Sequence, residues 1–450
     1  MVRKGLTGIT SNVKERLVQQ ALERRLRRAE QVDARAEPVK LETSPAQDIP
    51  EKYFRFHLHP GYQQLRIIDD GAAKLGVANP YFKVHEGIAG VHTSIDGRTY
   101  LNFASYNYLG LSGDPRVSQA AKDAIDRYGT SVSASRLVAG ERAIHRQLER
   151  AIAGAYEVDD AVTFVSGHAT NVSVIGQLFG PKDLVLHDAL IHNSALQGIR
   201  LSGAHRLPFP HNDWAALDSI LVEKRRQFER VLIVVEGIFS MDGDYPDLPR
   251  FIDVKRRHRA FLMVDDAHSL GVMGATGLGI REHFGLKGTD VDIWMGTLSK
   301  TLASCGGFIA GETALVEQVK FLASGFVYSV GMPGPVAAAA LAALECMRAE
   351  PGRVATLQQR GRFFKHEALA AGIDIGSSAG FAVVPAIVGR SARAVRLCHA
   401  LLARGIHVQP ILYPAVPEKA ARLRFFINSG HTEDQIRETV QALREEIDRA

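Results

Sequence analysis

The sequence predicts an α/β protein, with a large domain on a mostly parallel central sheet and a smaller C-terminal α/β domain. Three observations predict it. Short apolar runs of β character recur through the middle of the 450-residue chain. Helix-length segments separate many of them, as in strand–helix–strand units whose sheet is covered on both faces. Polar residues of chemical capacity sit where the apolar runs end, and ligand sites in such sheets lie at the carboxyl ends of strands.

Taken in order, residues 1–52 read as an arm and linker. In Val13–Ala29, Leu17, Val18, Ala21, Leu22 and Leu26 recur at near-helical spacing, and Arg16, Arg24, Arg25, Arg27 and Arg28 cover much of the remainder. This is a basic amphipathic helix. It suits a surface helix or dimer arm first; membrane-surface attachment and docking of an acidic carrier protein are the sharper readings. Pro38, Ser44, Pro45 and Pro50 among charges mark the linker. Residues 53–98 form an N-terminal segment, with order expected from about Tyr53. Asp96-Gly97 then turns the chain into a strand over Thr99–Phe103. The large domain, 99–340, carries the runs Ala161–Val165, Leu184–Leu186, Val231–Val235, Phe261–Val264, Ile293–Met295 and Gly307–Ala310, with helices at Trp214–Arg230 and Leu248–His258. Val336–Leu344 is apolar, but it is Ala-rich and too short to span a membrane, so it reads as a buried helix. The small domain, 341–450, brings a fresh pattern of helices and short strands, including Ala382–Val388 and Leu423–Ile427.

Composition excludes several classes. With 46% hydrophobic and 23% charged residues, the chain is neither disordered nor collagen-like. A net charge of +5 over this length is a mild bias, and without CxxC pairs, zinc spacing or RNA-binding aromatic motifs neither a nucleic-acid partner nor a metal is expected. Cys305, Cys346 and Cys398 are too few and too scattered for a disulfide framework, which fits a reducing cytoplasm. The N-terminal charges lack the apolar stretch of a signal peptide. A cytoplasmic protein is the expectation.

The run with the strongest chemistry is Gly296-Thr-Leu-Ser-Lys300-Thr-Leu-Ala-Ser-Cys-Gly306-Gly307. A strand ends in a hydroxyl-rich turn with one lysine, and glycines follow. Burial disfavours the ammonium, so such a lysine gives up its proton readily and can form an imine with an aldehyde. Thr297, Ser299 and nearby backbone N–H groups can cradle a phosphate. The plain alternative is a solvated loop lysine. A second run, Met263-Val-Asp265-Asp-Ala-His268-Ser-Leu-Gly, ends an apolar strand in a carboxylate. Asp265 there can pair with a protonated pyridine nitrogen and keep that ring electron-withdrawing. His268 can hydrogen-bond the ring oxygen or the imine. Its plain alternative is an exposed strand-end aspartate, and the arrival of Lys300 one strand later argues against that.

The order of the runs says more than any one of them. Asn107-Tyr-Leu-Gly110, Ser166-Gly-His-Ala-Thr-Asn171 and Asp188-Ala-Leu-Ile-His192-Asn-Ser194 precede the two runs above. Together they resemble the α-oxoamine synthases, enzymes dependent on pyridoxal 5′-phosphate (PLP) and built on the aspartate-aminotransferase-like fold, PLP-dependent transferase fold type I. The resemblance extends from about Thr99 to the C-terminus. It implies PLP as cofactor, held by Lys300, with Asp265 at the ring nitrogen, His192 stacked on the ring and His268 beside it. It implies that Gly167 and His168 meet the cofactor, although family members usually carry an aromatic residue where His168 stands. Ser240, in Glu236-Gly-Ile-Phe-Ser240-Met-Asp-Gly243, is implied to lie beside the cofactor and Thr297 to bind its phosphate. Ser329, in Tyr328-Ser-Val-Gly-Met-Pro333, is implied to reach the phosphate of a neighbouring subunit, so a homodimer is expected. Arg424 is implied to clamp an amino-acid carboxylate, and Asn107 to line the site from across the dimer. For single residues, plainer readings stay open. His192 can be a surface or core histidine, Ser240 turn chemistry before Asp242-Gly243, and Arg424 a strand-face ion pair whose role Arg422 takes instead.

The activity implied is decarboxylative condensation of a small α-amino acid (glycine, alanine or serine) with an acyl thioester to give an α-amino ketone. In it Lys300 serves as general base, and His192 assists both ring stacking and thioester polarisation. The stretch Gly129-Thr-Ser-Val-Ser-Ala-Ser135-Arg136 replaces a glycine-rich segment of many relatives and points toward an acyl carrier protein, beside coenzyme A, as the acyl donor. An aminotransferase of the same fold is the alternative. A catalytically dead partner subunit would be expected to lack the lysine.

Overall fold

A computed structural model describes residues 49–66 and 79–449. The basic helix expected at Val13–Ala29 lies outside the described residues. The chain divides into two compact units, Met1–Leu75 and Gly76–Ala450. In the first, the described part holds two short 3-10 turns, Glu51–Tyr53 and Phe56–Leu58. All that follows concerns the second.

That unit opens with a hairpin of β1 (His92–Ile95) and β2 (Arg98–Asn102). Asp96 and Gly97 both take positive φ, 51° and 74°, as a two-residue turn matched to strand twist requires. The central sheet contains β3 (Asp160–Phe164), β4 (Leu184–Asp188), β5 (His205–Phe209), β6 (Val231–Glu236), β7 (Phe261–Asp265), β8 (Ile293–Thr297) and β9 (Gly307–Gly311). Its order is β3-β9-β8-β7-β6-β4-β5. β9 runs antiparallel to both its neighbours, and the other pairs are parallel. The carboxyl ends of β3, β4, β6, β7 and β8 therefore share one edge. Along β6, Val231, Ile233 and Val235 pack into one core and Leu232 and Val234 into the other. Both faces are buried, which is why these strands read as unbroken apolar runs. Beyond the sheet come β10 (Val383–Gly389), β11 (Ile406–His407), β12 (Gln409–Ile411) and β13 (Ala421–Phe426). β10, β13 and β12 form a small antiparallel sheet, and β11 adds to the opening hairpin.

Two differences from the sequence reading have local causes. The helix expected over Trp214–Arg230 stops at Lys224. A 3-10 turn, Arg225–Gln227, follows, and the Arg225 guanidinium donates to the carbonyls of Phe228 and His258. Strand β5 presents no apolar run, because Pro208 and polar residues interrupt it; as the sheet's edge it tolerates a missing N–H. The helix Leu248–His258 has the expected bounds, and Val336–Leu344 lies within the largely buried helix Gly334–Ala349.

One glycine on the helix Pro351–Ala370 gives a stability prediction. A Cβ on Gly361 would lie 1.5 Å from the Phe381 carbonyl oxygen, whereas one on Gly352 would meet nothing within 4 Å. Gly361→Ala is expected to lower unfolding stability by at least about 1–3 kcal/mol. Gly352→Ala should be neutral or stabilising by up to about 1 kcal/mol. Urea unfolding of both variants checks the pair.

Candidate active site

The shared carboxyl edge assembles the site from turns. After β3, Ser166 caps the helix Gly167–Leu178 by accepting from Ala169 N–H. Gly167 and His168 head that helix, where backbone N–H groups have no acceptor within the helix. A Cβ on Gly167 would stand 3.0 Å from Thr297 Oγ1, so the absence of a side chain lets the helix start approach the end of β8. Thr297 Oγ1 donates to Gly306 O at 2.9 Å and lies 2.8 Å from Ser299 Oγ. The result is a concave, donor-rich turn beside Lys300.

Lys300 follows β8, next to the end of β7, and is partly buried. Its Nζ lies 5.6 Å from the centre of the Tyr106 ring. Burial, aided by the charge on Arg424 and opposed by Asp265 and Glu236, brings its ammonium down to about 8. Asp265 ends β7 and is buried. Its Oδ2 accepts from Asn171 Nδ2 at 2.9 Å and its Oδ1 from Ala267 N–H at 3.1 Å. Glu236 sits beside Asp265 in the β6–β7 register. Burial and then the neighbouring Asp265 charge push the Glu236 carboxyl well above its ordinary range, so it keeps its proton.

Two histidines flank the lysine. His192 caps the helix Asn193–Ser202, with Nδ1 accepting from Ser194 N–H at 3.3 Å and lying 2.7 Å from Ser194 Oγ. Desolvation, together with Lys300, His168 and Arg424 and against Asp265, lowers its basicity. His268 is buried 2.7 Å from Tyr108 Oη through Nδ1. Burial takes it far below its usual value and raises the Tyr108 phenol, so Tyr108 donates and His268 accepts at Nδ1.

The two arginines of β13 separate cleanly. Arg422 is occupied, with Asp242 Oδ1 at 2.6 Å and Met241 O at 2.9 Å. Arg424 is buried, donates from Nη1 to Ser240 O at 2.9 Å and stacks 4.6 Å over Phe426, while its Nε has no partner. Ser240 is thereby joined to Arg424 through its backbone. Asn107 shares a cavity of about 390 Å³ with Lys300, Ser299, Tyr106, His85 and His407 of the same chain. Its amide is committed to Ala89 O and Ser112 N–H, so it shapes that wall as a backbone tie. Ser329 stands apart, donating to Val330 O in its own loop. A second cavity, about 430 Å³, opens at the opposite strand ends beside Phe261 and Ile293 and holds none of these residues. Among the described residues no cluster of side chains could hold a metal ion.

Residues 98–443 match the model of the aminotransferase class I and II family. The chain belongs to that family. Within it the chain groups with the α-oxoamine synthases. It is 40% identical over 348 residues to 8-amino-7-oxononanoate synthase of Symbiobacterium thermophilum, covering 77% of this chain and 88% of the relative. Serine palmitoyltransferase of Sphingomonas wittichii superposes with a TM-score of 0.82 at 28% identity, over 86% of this chain and 97% of that one. A high-resolution serine palmitoyltransferase structure carrying PLP gives 0.81 at 27% identity, over 86% and 97%. Like the sheet of this family of fold type I enzymes, the central sheet here is mostly parallel and is followed by a small C-terminal sheet. In this α-oxoamine synthase Tyr106 and Glu236 face Lys300 and Tyr108 bonds His268, contacts that the sequence alone does not assign. All three lie in or beside the motif runs, and spacing gives no sign of their contacts.

Proposed function

We propose that this chain condenses a small α-amino acid with an acyl thioester, releasing carbon dioxide and yielding an α-amino ketone with PLP as cofactor. The observation that carries the reading is a single lysine, its amine brought to about 8, set beside a buried aspartate and an arginine with one guanidinium N–H unused. The residues fit PLP. Thr297, the Gly167 approach and the helix start offer donors for a phosphate. Asp265 offers a carboxylate for the ring nitrogen, His192 a ring face, and His268 an edge for the ring oxygen. Ser240 lies behind, through its tie to Arg424. When bound, PLP supplies an aldehyde for an amine and a ring that withdraws electrons from the amino acid's Cα.

The chain's own residues do the rest. The Arg424 Nε–H receives the amino-acid carboxylate, which fixes the direction of the Cα–H bond. Lys300 Nζ, brought down to about 8 so that its neutral form is accessible near physiological pH, takes the α-proton in that form. His192 donates toward the thioester carbonyl oxygen as the new carbon–carbon bond forms. Glycine, alanine and serine are the candidate amino acids, and coenzyme A or an acyl carrier protein bears the acyl group. We also assign a homodimer, with Ser329 serving the neighbouring subunit's phosphate, and a cytoplasmic location. No helix among the described residues is long and apolar enough to cross a membrane.

The test is a screen of the three amino acids against acyl thioesters on both carriers, reading free thiol and carbon dioxide. Release of both supports condensation. Formation of pyridoxamine phosphate with a keto acid would establish an aminotransferase in its place. A further expected result concerns the arginines. Arg424→Gln should raise the KM for the amino acid about 10- to 100-fold, the loss of one charge-assisted contact. Arg422→Gln should leave KM within about threefold while lowering stability, since its partners are Asp242 and Met241. Steady-state kinetics and thermal unfolding of the pair check this.

A further inference from the structure

One amide joins two parts of the site that lie far apart in sequence. Asn171 Nδ2 donates to Asp265 Oδ2 and to Ser194 Oγ, each at 2.9 Å and buried. The amide's orientation is forced. An ionised carboxylate has only acceptor atoms, so the NH2 and not the oxygen must face Asp265. Asn171 Oδ1 is buried without a partner, and turning the amide over would set that oxygen against the carboxylate. The second amide hydrogen then falls on Ser194 Oγ. Having accepted it, the Ser194 hydroxyl sends its own hydrogen to His192 Nδ1, 2.7 Å away. Ser194 N–H points at the same nitrogen from 3.3 Å. A nitrogen that accepts twice bears no hydrogen, so the ring carries its proton on Nε2.

We infer that Asn171 is a positioning residue, which orders the Asp265 carboxylate and, through Ser194, holds His192 as the neutral imidazole with its hydrogen on Nε2. The inference deepens the condensation reading and rests on it for its consequence. Nε2–H is the donor that a thioester carbonyl oxygen needs, and Nδ1–H would point the donor back into the helix cap. The charged and titratable groups around His192 are Asp265, Lys300, Arg424, His168 and His268, and the Glu236 carboxyl accepts from its backbone N–H. The Asn171–Ser194 chain adds to these a hydrogen bond that exists only with the unprotonated Nδ1, and such a bond favours the neutral ring.

Nitrogen NMR of the ring-labelled full-length enzyme, with and without PLP, reads the tautomer directly, and His192→Gln identifies its signal among the 17 histidines. Wild-type His192 is expected to be Nε2–H at neutral pH. Ser194→Ala should raise its titration midpoint by about one unit and lower kcat with the amino-acid KM little changed. Ser194→Thr, which keeps the hydroxyl, should restore both. Asn171→Ala should raise the midpoint too, because the freed hydroxyl can turn and accept from a protonated Nδ1. A wild-type ring protonated at Nδ1, or a Ser194→Ala ring that titrates with the wild type, would overturn the assignment. The ring signal is read without turnover, so failure of the condensation assay and failure of this assignment are separate results.

Discussion

Replacing Lys300 with alanine is expected to abolish turnover, with thiol release falling at least about 10²- to 10⁴-fold, the range for loss of a positioned general base. The protein should also lose the yellow absorbance that borohydride traps at this position in the wild type. Lys300→Arg should fare no better, because a guanidinium cannot give up its proton under these conditions. The physical basis is the lowered basicity of the amine, brought to about 8 by burial and by Arg424 against the pull of Asp265 and Glu236. This sets a pH dependence with a definite sign. Mixed with PLP, cofactor-free enzyme should reconstitute at a rate that levels off above about pH 8. Below that value it should fall about tenfold per unit as the ammonium fills. The folded value lies below the ordinary 10.5, so between about 8 and 10.5 the unfolded chain binds more protons. Cofactor-free protein should therefore gain stability from this group as pH rises through that window. Stopped-flow absorbance and denaturant unfolding at several pH values measure the two effects. A Lys300→Ala enzyme that still released thiol from both substrates would refute the role given to this lysine.

The strands were legible because burial on both faces turns them into apolar runs, as at Val231–Glu236 and Ile293–Thr297. The strand His205–Phe209 was not, because an edge position permits proline and polar residues. Asp265 was legible because it is the polar residue that stops such a run, and Lys300 because it is the one lysine in the hydroxyl-rich turn after another. Arg424 and Arg422 lie two residues apart on one face of a strand, and no linear pattern could separate them. What separates them is Asp242, which lies in a distant turn and saturates one of the two. Asn171 and Ser194 stand within motif runs, but a contact spanning the end of β7 and two helices leaves no periodic trace in the sequence. Asn107 was expected to act across a dimer; what its own chain shows is an amide bonded to Ala89 and Ser112, a long-range tie that no linear pattern marks.

Asp265→Asn is expected to lower kcat about 10²- to 10³-fold, the size of effect seen when one electrostatic partner of a reacting centre is lost. Asparagine matches the shape of aspartate and can still bond Asn171, so the fold should survive. What disappears is the negative charge that keeps a pyridine nitrogen protonated. Glu236 is adjacent in the sheet register and looks able to replace it. In the wild type it cannot, because burial and the Asp265 charge hold its proton in place. Removing Asp265 removes that repulsion, so Glu236 becomes easier to ionise. Residual activity of Asp265→Asn should therefore climb with pH more steeply than wild-type activity does, and Asp265→Asn/Glu236→Gln should lose that climb. Both readings come from kcat against pH for the three enzymes, with holoenzyme absorbance as a check on cofactor content. If Asp265→Asn kept more than half of wild-type kcat, the ring's electron demand would have to be sustained by another group, and Glu236, its neighbour in the β6–β7 register, is where the double variant would look first.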